Sequence, residues 1–325
     1  MFLTYIYYFI ILLGGLNVYF AIANKFKIVD KPNIRSSHSN TVIRGGGVIF
    51  YLAALLWFFQ SGFEYSWFYL GLTAISLISF LDDILSLSNW LRLLVHLISI
   101  LLICVQLNVF SSSIIYLFVG VIISIGAINT FNFMDGINGI TGLYSFAVLT
   151  CLWFVNNYVT SFIQNHFIYV LGLSLLVFLY YNIRIRAKCF AGDVGAVSVA
   201  FILLFLLWKL VIVSGDLSFF ILLVVYGIDS ILTIVHRLIL RENIFEAHRK
   251  HLYQILANEA RISHVKVACG YAFLQIIIFI GYFFLMDQDM MIRYYYLFSI
   301  VILLSIAYFF IKRKLYNLHI KMQAK

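Results

Sequence analysis

In this chain of 325 residues 64% are hydrophobic and only 11% charged, and the mean hydropathy is +1.02, which excludes a soluble globular fold and leaves a polytopic membrane protein. A single proline and long uninterrupted runs of Phe, Leu and Ile exclude a transmembrane β-barrel, whose strands would alternate over about ten residues. The net charge of +9 is concentrated in short segments between apolar runs, the pattern of positive-inside topology rather than of a nucleic-acid surface.

Eleven apolar runs read as helices: 2–22, 46–62, 65–81, 89–107, 112–129, 139–157, 164–182, 194–213, 217–235, 267–286 and 292–311. Each is close to the ~20 residues needed to cross the hydrocarbon core. The first ends in Ala21-Ile22-Ala23, which is similar to a signal-cleavage site, but it lacks a basic leader and is followed by Lys25 and Lys27. An uncleaved first span is therefore expected. The segment after it, DKPNIRSSHSNTVIRGGG, supplies Lys31, Arg35, His38 and Arg44 as substrate-binding candidates. Gly45 to Gly47 then suit either a phosphate cradle or close packing of the second run, without the Walker spacing of a nucleoside triphosphate site.

The third run ends in Asp82-Asp83, two adjacent carboxylates that persist beside lipid only with a compensating Mg²⁺, Lys or Arg. Ile84-Leu85-Ser86 follows, so the DDxxD of prenyltransferases is not formed. The fifth run ends in NTFNFMDGING, where Asn129, Asn132, Asp135 and Asn138 recur every three residues and share one face if the segment stays helical. Such a face offers oxygens to a hard cation and amides to a base or phosphate. The four cysteines are scattered with no CxxC pair, which excludes a readable zinc site or disulfide framework.

Gly192-Asp193-Val194-Gly195 opens the eighth run, with Asp193 as a helix N-cap or a ligand. Asp229 lies inside the ninth run, within reach of His236 or Arg237 as partner. His248, Arg249, Lys250 and His251 form a cationic cluster suited to clamping a pyrophosphate or resting on anionic lipid. Basic residues fall in alternate loops, which predicts an outside N-terminus, a cytoplasmic C-terminus and all four polar sets on the cytoplasmic face. The expected architecture is all-α, one transmembrane domain over 1–325 with about eleven helices.

In order, DKPNIRSSH with GGG, FLDD, NTFNFMDGING, AGDVGA, DSILTIVHR and AHRKHLYQ resemble the motifs of the polyprenyl-phosphate N-acetylhexosamine-1-phosphate transferases, glycosyltransferase family 4. The resemblance implies a bacterial inner-membrane enzyme with its site on the cytoplasmic face. It implies a Mg²⁺ cofactor, with Mn²⁺ as substitute, and transfer of a sugar-1-phosphate from a UDP-N-acetylhexosamine to undecaprenyl phosphate with release of UMP. By motif, Asn132 and Asp193 correspond to metal contacts, and Asp82, Asp83 and Asp135 to the catalytic acids. His248, Arg249 and His251 fall on the basic loop that grips the diphosphate and sugar, and Asn129 and Asn138 on the substrate-binding segment. Asn138 stands where several relatives carry a second Asp, and AHRKHLYQ replaces the HxHH-like loop. That favours an O-antigen or capsule initiator acting on a 6-deoxy N-acetylated sugar, with homodimer formation left open. A nucleotide-sugar or lipid-linked sugar transporter is the alternative, but its binding groups belong near the midplane, often within inverted repeats.

Overall fold

The structure, a computed structural model, describes residues 2–31, 41–111, 113–244, 246 and 248–323. The candidates Arg35 and His38 lie outside the described residues. Twelve α-helices are formed among those residues. They are α1 (Phe2–Phe26), α2 (Val48–Gln60), α3 (Ser66–Leu85), α4 (Asn89–Gln106), α5 (Ile114–Met134), α6 (Ile140–Tyr158), α7 (Asn165–Asn182), α8 (Gly192–Ser214), α9 (Val224–Ile239), α10 (Leu252–Asn258), α11 (His264–Phe283) and α12 (Met290–Gln323). Ten apolar segments are long enough to cross a membrane, so the chain is an all-α polytopic membrane protein.

The eleventh predicted span is α2. At thirteen residues it is only about 20 Å long, shorter than the ~30 Å hydrocarbon core. It nevertheless runs the depth of the bundle. Its first residues follow Arg44 and the glycines, whereas its last turn reaches the opposite end, where Gln60 Oε1 meets His166 Nε2 at 2.7 Å and Trp57 stacks on Tyr65 at 6.0 Å. His166 also meets Tyr5 of α1 at 3.0 Å. Lys209, near the end of α8, donates to Tyr65 at 2.6 Å. Eleven traversals therefore carry the start of α1 and the end of α12 to opposite ends of the bundle.

The centre of the fold is α8. Apolar around its whole circumference, it is buried over most of its length, as such helices are. Phe68 of α3 stacks on its Phe205 at 4.0 Å, and Ser76 bonds its Ser198 at 2.8 Å. Against α2 the approach is closer still. A Cβ on Gly47 would lie 2.2 Å from the Gly195 Cα, so neither position accommodates a side chain. The chain before α2 is joined to the chain before α8 by backbone bonds: Phe190 N to Ile43 O at 2.8 Å, Gly46 N to Phe190 O at 2.8 Å and Gly47 N to Ala191 O at 3.1 Å. A two-residue ladder, Val29–Asp30 against Val42–Ile43, pins the base of the loop that holds Lys31.

The run from Asn129 to Asn138 is not one helix. α5 ends at Met134, and Asp135 leaves the helical region at φ −84°, ψ 59°. Gly139 at φ +86° then turns the chain into α6. The spacing of three therefore carries Asn129 and Asn132 on a helix and Asp135 and Asn138 in the following turn.

Candidate active site

The ends of α3, α5 and α9 and the beginnings of α4, α6, α8, α10 and α11 meet at one end of the bundle. There Asp83, whose side chain is fully buried, reaches across to α8. Its Oδ1 accepts from the Asp193 N–H at 2.9 Å and its Oδ2 from the Val194 N–H at 3.1 Å. The helix cap expected of Asp193 is thus supplied by Asp83 from another span. Gly192 at φ +71° makes this approach feasible, because a Cβ there would sit 2.6 Å from Asp83 Oδ2.

Asp193 is freed to face outward into an electrostatic lattice. Arg44 joins Asp83 through Nε at 2.6 Å and Asp193 through Nη2 at 3.3 Å. Arg92 joins Asp82 at 2.7 Å and Asp193 at 3.3 Å. Asp82 also accepts from the Leu87 N–H at 2.6 Å. Turning the Asn132 amide so that both neighbours are satisfied, its nitrogen donates to Asp193 at 3.3 Å and its oxygen accepts from Arg92 at 3.1 Å. Burial alone would weaken the Arg44 charge, but Asp83, Asp193 and Asp30 more than offset this and hold its pKa above the usual value.

A cleft of about 290 Å³ opens beside this lattice. Arg44, Asn132, Asp135, Asn138 and Asp193 line it, together with Asp30, Asn182, Phe190, Gln254 and His264. Asp135 accepts from the Thr141 hydroxyl at 2.6 Å. Burial pushes Asp135 up to about 6; the Thr141 bond and Arg44 pull downward, while the Asp193 charge adds to the rise. Asn138 donates to the Arg184 carbonyl at 2.9 Å, and Asn182 accepts from the Gly139 N–H at 2.7 Å while donating to the Cys189 carbonyl at 2.8 Å. The cleft floor is thereby tied to both loops. Glycine at 136 leaves room for Tyr253, whose hydroxyl bonds the Phe133 carbonyl at 2.9 Å.

The remaining candidates are placed differently. Lys31 is exposed at the loop edge, and Asn129 bonds back to Ile125 O at 3.0 Å on its own helix. Asp82 and Asp83 stand behind the cleft and support the groups that line it. His248, Arg249 and His251 do not line it either; α10 reaches it through Gln254. Burial, reinforced by His251, Arg237, Lys250 and Lys312, pushes His248 down to about 3, so it is neutral. Glu242 takes Lys250 in an ion pair and accepts from Arg237 at 3.2 Å, and Arg237 also donates to the carbonyls of Asn243, Ile244 and Glu246. Arg237 is thus a loop organiser, and Asp229 pairs instead with His251 at 3.4 Å.

Sequence reasoning passed over Arg92, Asp30, Asn182, Gln254 and His264 as site residues. Arg92 was visible only as a loop charge. Its position nine residues beyond Asp83, at the start of the next helix, is the signal that a compensating cation was near.

The fold and the site define a helical membrane protein with a carboxylate–guanidinium centre at one end of its bundle. Residues 65–211 match the model of glycosyl transferase family 4. An undecaprenyl-phosphate alpha-N-acetylglucosaminyl 1-phosphate transferase of Thermotoga maritima is 26% identical over 249 residues, covering 73% of this chain and 75% of that protein. A phospho-N-acetylmuramoyl-pentapeptide-transferase of the same organism is 29% identical over 177 residues, covering 49% and 57%. Over residues 65–211 the chain is therefore similar to glycosyl transferase family 4, in line with the resemblance its motifs carry.

Proposed function

We propose that this protein transfers a sugar-1-phosphate from a nucleotide sugar to undecaprenyl phosphate. The donor is a UDP-N-acetylhexosamine, including 6-deoxy forms, and the lipid-linked product initiates O-antigen or a related surface glycan. The observation that carries this reading is the convergence of Asp135, Asp193, Asn132 and Arg44 on one cleft at the end of a membrane bundle. The charge distribution of the loops supports a cytoplasmic site in the inner membrane.

The donor set fits Mg²⁺, with Mn²⁺ as substitute. Among the described residues no cluster of three or more His, Cys, Asp or Glu side chains could hold a metal, which disfavours a closed structural site. Two carboxylates and an amide oxygen facing a cleft suit a hard cation that keeps its remaining positions for water and substrate phosphates. Asp193 and Asn132 would hold it, with Asp135 alongside. When bound, the cation neutralises the diphosphate and stabilises charge on the departing UMP.

The chain's own groups do the rest. Arg44 and Arg92 bring two guanidinium forks to Asp193, where diphosphate oxygens have charged donors to meet. Asp83 fixes the first turn of α8 and the angle of Arg44, and Asp82 fixes Arg92, so the acidic pair positions rather than abstracts protons. An oxygen of the acceptor phosphate forms a bond to the sugar-bearing phosphorus, and the bond to UMP breaks with its electron pair leaving on UMP. With a second pKa of about 6, the acceptor is largely dianionic at neutral pH and requires no strong base. Alignment of the partners and charge compensation supply the catalysis.

Membranes containing the chain, incubated with Mg²⁺, undecaprenyl phosphate and a panel of UDP-N-acetylhexosamines, should release UMP and form a lipid-linked sugar. Both should vanish on chelation and in Asp193→Asn. Folded protein that yields no UMP from any donor would overturn the assignment.

A further inference from the structure

Asp229 is a buried carboxylate in α9 that the reaction outlined above leaves without a role. It is nevertheless bonded through both of its oxygens. Its Oδ1 faces His251 Nδ1 at 3.4 Å and accepts from the Leu252 N–H at 2.9 Å. Its Oδ2 accepts from the Tyr253 N–H at 3.2 Å and from the Tyr271 hydroxyl of α11 at 2.6 Å. One side chain thus caps α10, orients the imidazole that begins it and anchors both to α11.

The same carboxylate is held from behind by α12. Thr233 donates to Oδ1 at 3.3 Å and shares a hydrogen bond of 2.8 Å with the Tyr308 hydroxyl, which in turn bonds the Lys312 ammonium. Lys312 is 5% exposed, an unusual place for a lysine on a helix that otherwise faces lipid. A continuous bonded chain therefore runs from Lys312 through Tyr308, Thr233 and Asp229 to His251.

The far atom of that imidazole is the clue to what the chain serves. His251 is 2% exposed, and its Nε2 has no hydrogen-bond partner among the described residues. A buried ring nitrogen with nothing to bond is costly and calls for a ligand. Its surroundings narrow the ligand's class. The ring lies 5.0 Å from that of His248 and 6.2 Å from that of Phe133, the neighbour of Asn132, and Gln254 one turn further on lines the cleft. Arg237, Lys250 and Lys312 all face the neighbouring His248, so this corner of the molecule favours an anion such as a phosphate group.

We infer that Asp229 is a positioning residue that holds the His251 imidazole ready for a substrate phosphate, and that α12 braces it through Tyr308. This inference rests on the transferase reading for its substrate, but not for the contact itself. Asp229 acts on the reaction only through His251, so removing both should cost little more than removing His251.

The test is a double-mutant cycle on the purified full chain, following UMP release. Asp229→Asn and His251→Gln should each lower kcat/KM by roughly 10–100-fold, the scale of a lost supporting contact at a reacting group. The double variant should fall within about threefold of the worse single variant, because the two act as a unit. Tyr308→Phe should lower kcat/KM by about threefold to tenfold, the equivalent of one hydrogen bond. Losses that multiply in the double variant would overturn the proposal, since Asp229 would then serve the fold independently of His251. So would an Asp229→Asn protein with wild-type kcat/KM.

A second readout is independent of turnover. The ring ¹⁵N signals of His251, assigned by their loss in His251→Gln, should shift in Asp229→Asn and not in a distant control such as Ser61→Ala. If the wild type releases no UMP while these signals shift, the transferase reading fails and the positioning contact stands. Unshifted signals overturn the contact.

Discussion

Replacing Asp83 by Asn separates a positioning role from a reacting one. The carboxylate accepts two N–H groups of α8 and the Arg44 guanidinium, all within 3.1 Å. An amide of the same shape has one acceptor oxygen, so at least one of the two backbone donors is orphaned, at a cost of about 1–3 kcal/mol. Arg44 also loses its nearest counter-charge, keeping only Asp193 at 3.3 Å. Breaking a fully buried pair costs about 3–5 kcal/mol. Because the Arg44 side chain is 34% exposed, water takes up part of its charge and the penalty belongs below that range. Together the losses come to about 2–4 kcal/mol. At roughly 2 °C per kcal/mol for a chain of this size, the expected drop in Tm is about 4–8 °C. Thermal unfolding of the detergent-solubilised protein gives the first number and UMP release the second, and both should fall. A variant that keeps the wild-type Tm while losing turnover would refute the positioning role and make Asp83 a reacting group.

Gly47→Ala should be more damaging, because the added Cβ meets the Gly195 backbone at 2.2 Å and neither helix can yield; loss of the monodisperse folded peak on size exclusion is the expected outcome. Gly136→Ala would place its Cβ 2.2 Å from the Tyr253 hydroxyl, a side-chain tip, so Tyr253→Phe introduced alongside should recover part of the lost activity and Tm. The Asp135 carboxyl titrates at about 6 in the fold, so kcat/KM should fall as pH drops through that value if its ionised form is needed, and Asp135→Asn should remove that limb of the profile. His248 is pushed down to about 3, well below the ~6.5 of an unfolded histidine, so the unfolded chain binds the extra proton in that window. Its contribution to stability is present above about pH 6.5 and declines as pH falls, and His248→Gln should therefore lose less Tm than the wild type between pH 7 and pH 5.

Much of this architecture is legible in the sequence because the bilayer imposes one local rule, that every crossing be apolar and helical. The eleven runs correspond to ten long helices and α2, and the polar sets at Asp82, Asp135 and Asp193 meet at one end as the charge pattern implies. Boundaries were less legible where polar residues remain helical. Asn129 and Asn132 sit on the last turns of α5 because a buried helix end tolerates amides that find partners. The turn at Asp135-Gly136 and Gly139 is written in its glycines, whereas a spacing of three read in isolation suggests an extra helical turn. Partnerships across the chain were not legible at all. Nothing local to Asp193 says that its helix is capped from 110 residues away, or that Asp229 would bond His251 rather than Arg237. Those choices depend on how helices are rotated about their axes, which no single segment encodes.

The join between residues 43–47 and 189–191 is made by main-chain atoms, with glycine at the points of closest approach. Its strength does not depend on what side chains the intervening positions carry. Phe190, which lines the cleft beside that join, can be exchanged without breaking its main-chain bonds, whereas Arg44 is tied into the frame through buried Asp83. A cleft built this way separates the part of the molecule that must be kept from the part that can change. New ligand preferences are open to it through a few side chains, on a scaffold whose main-chain join stays the same.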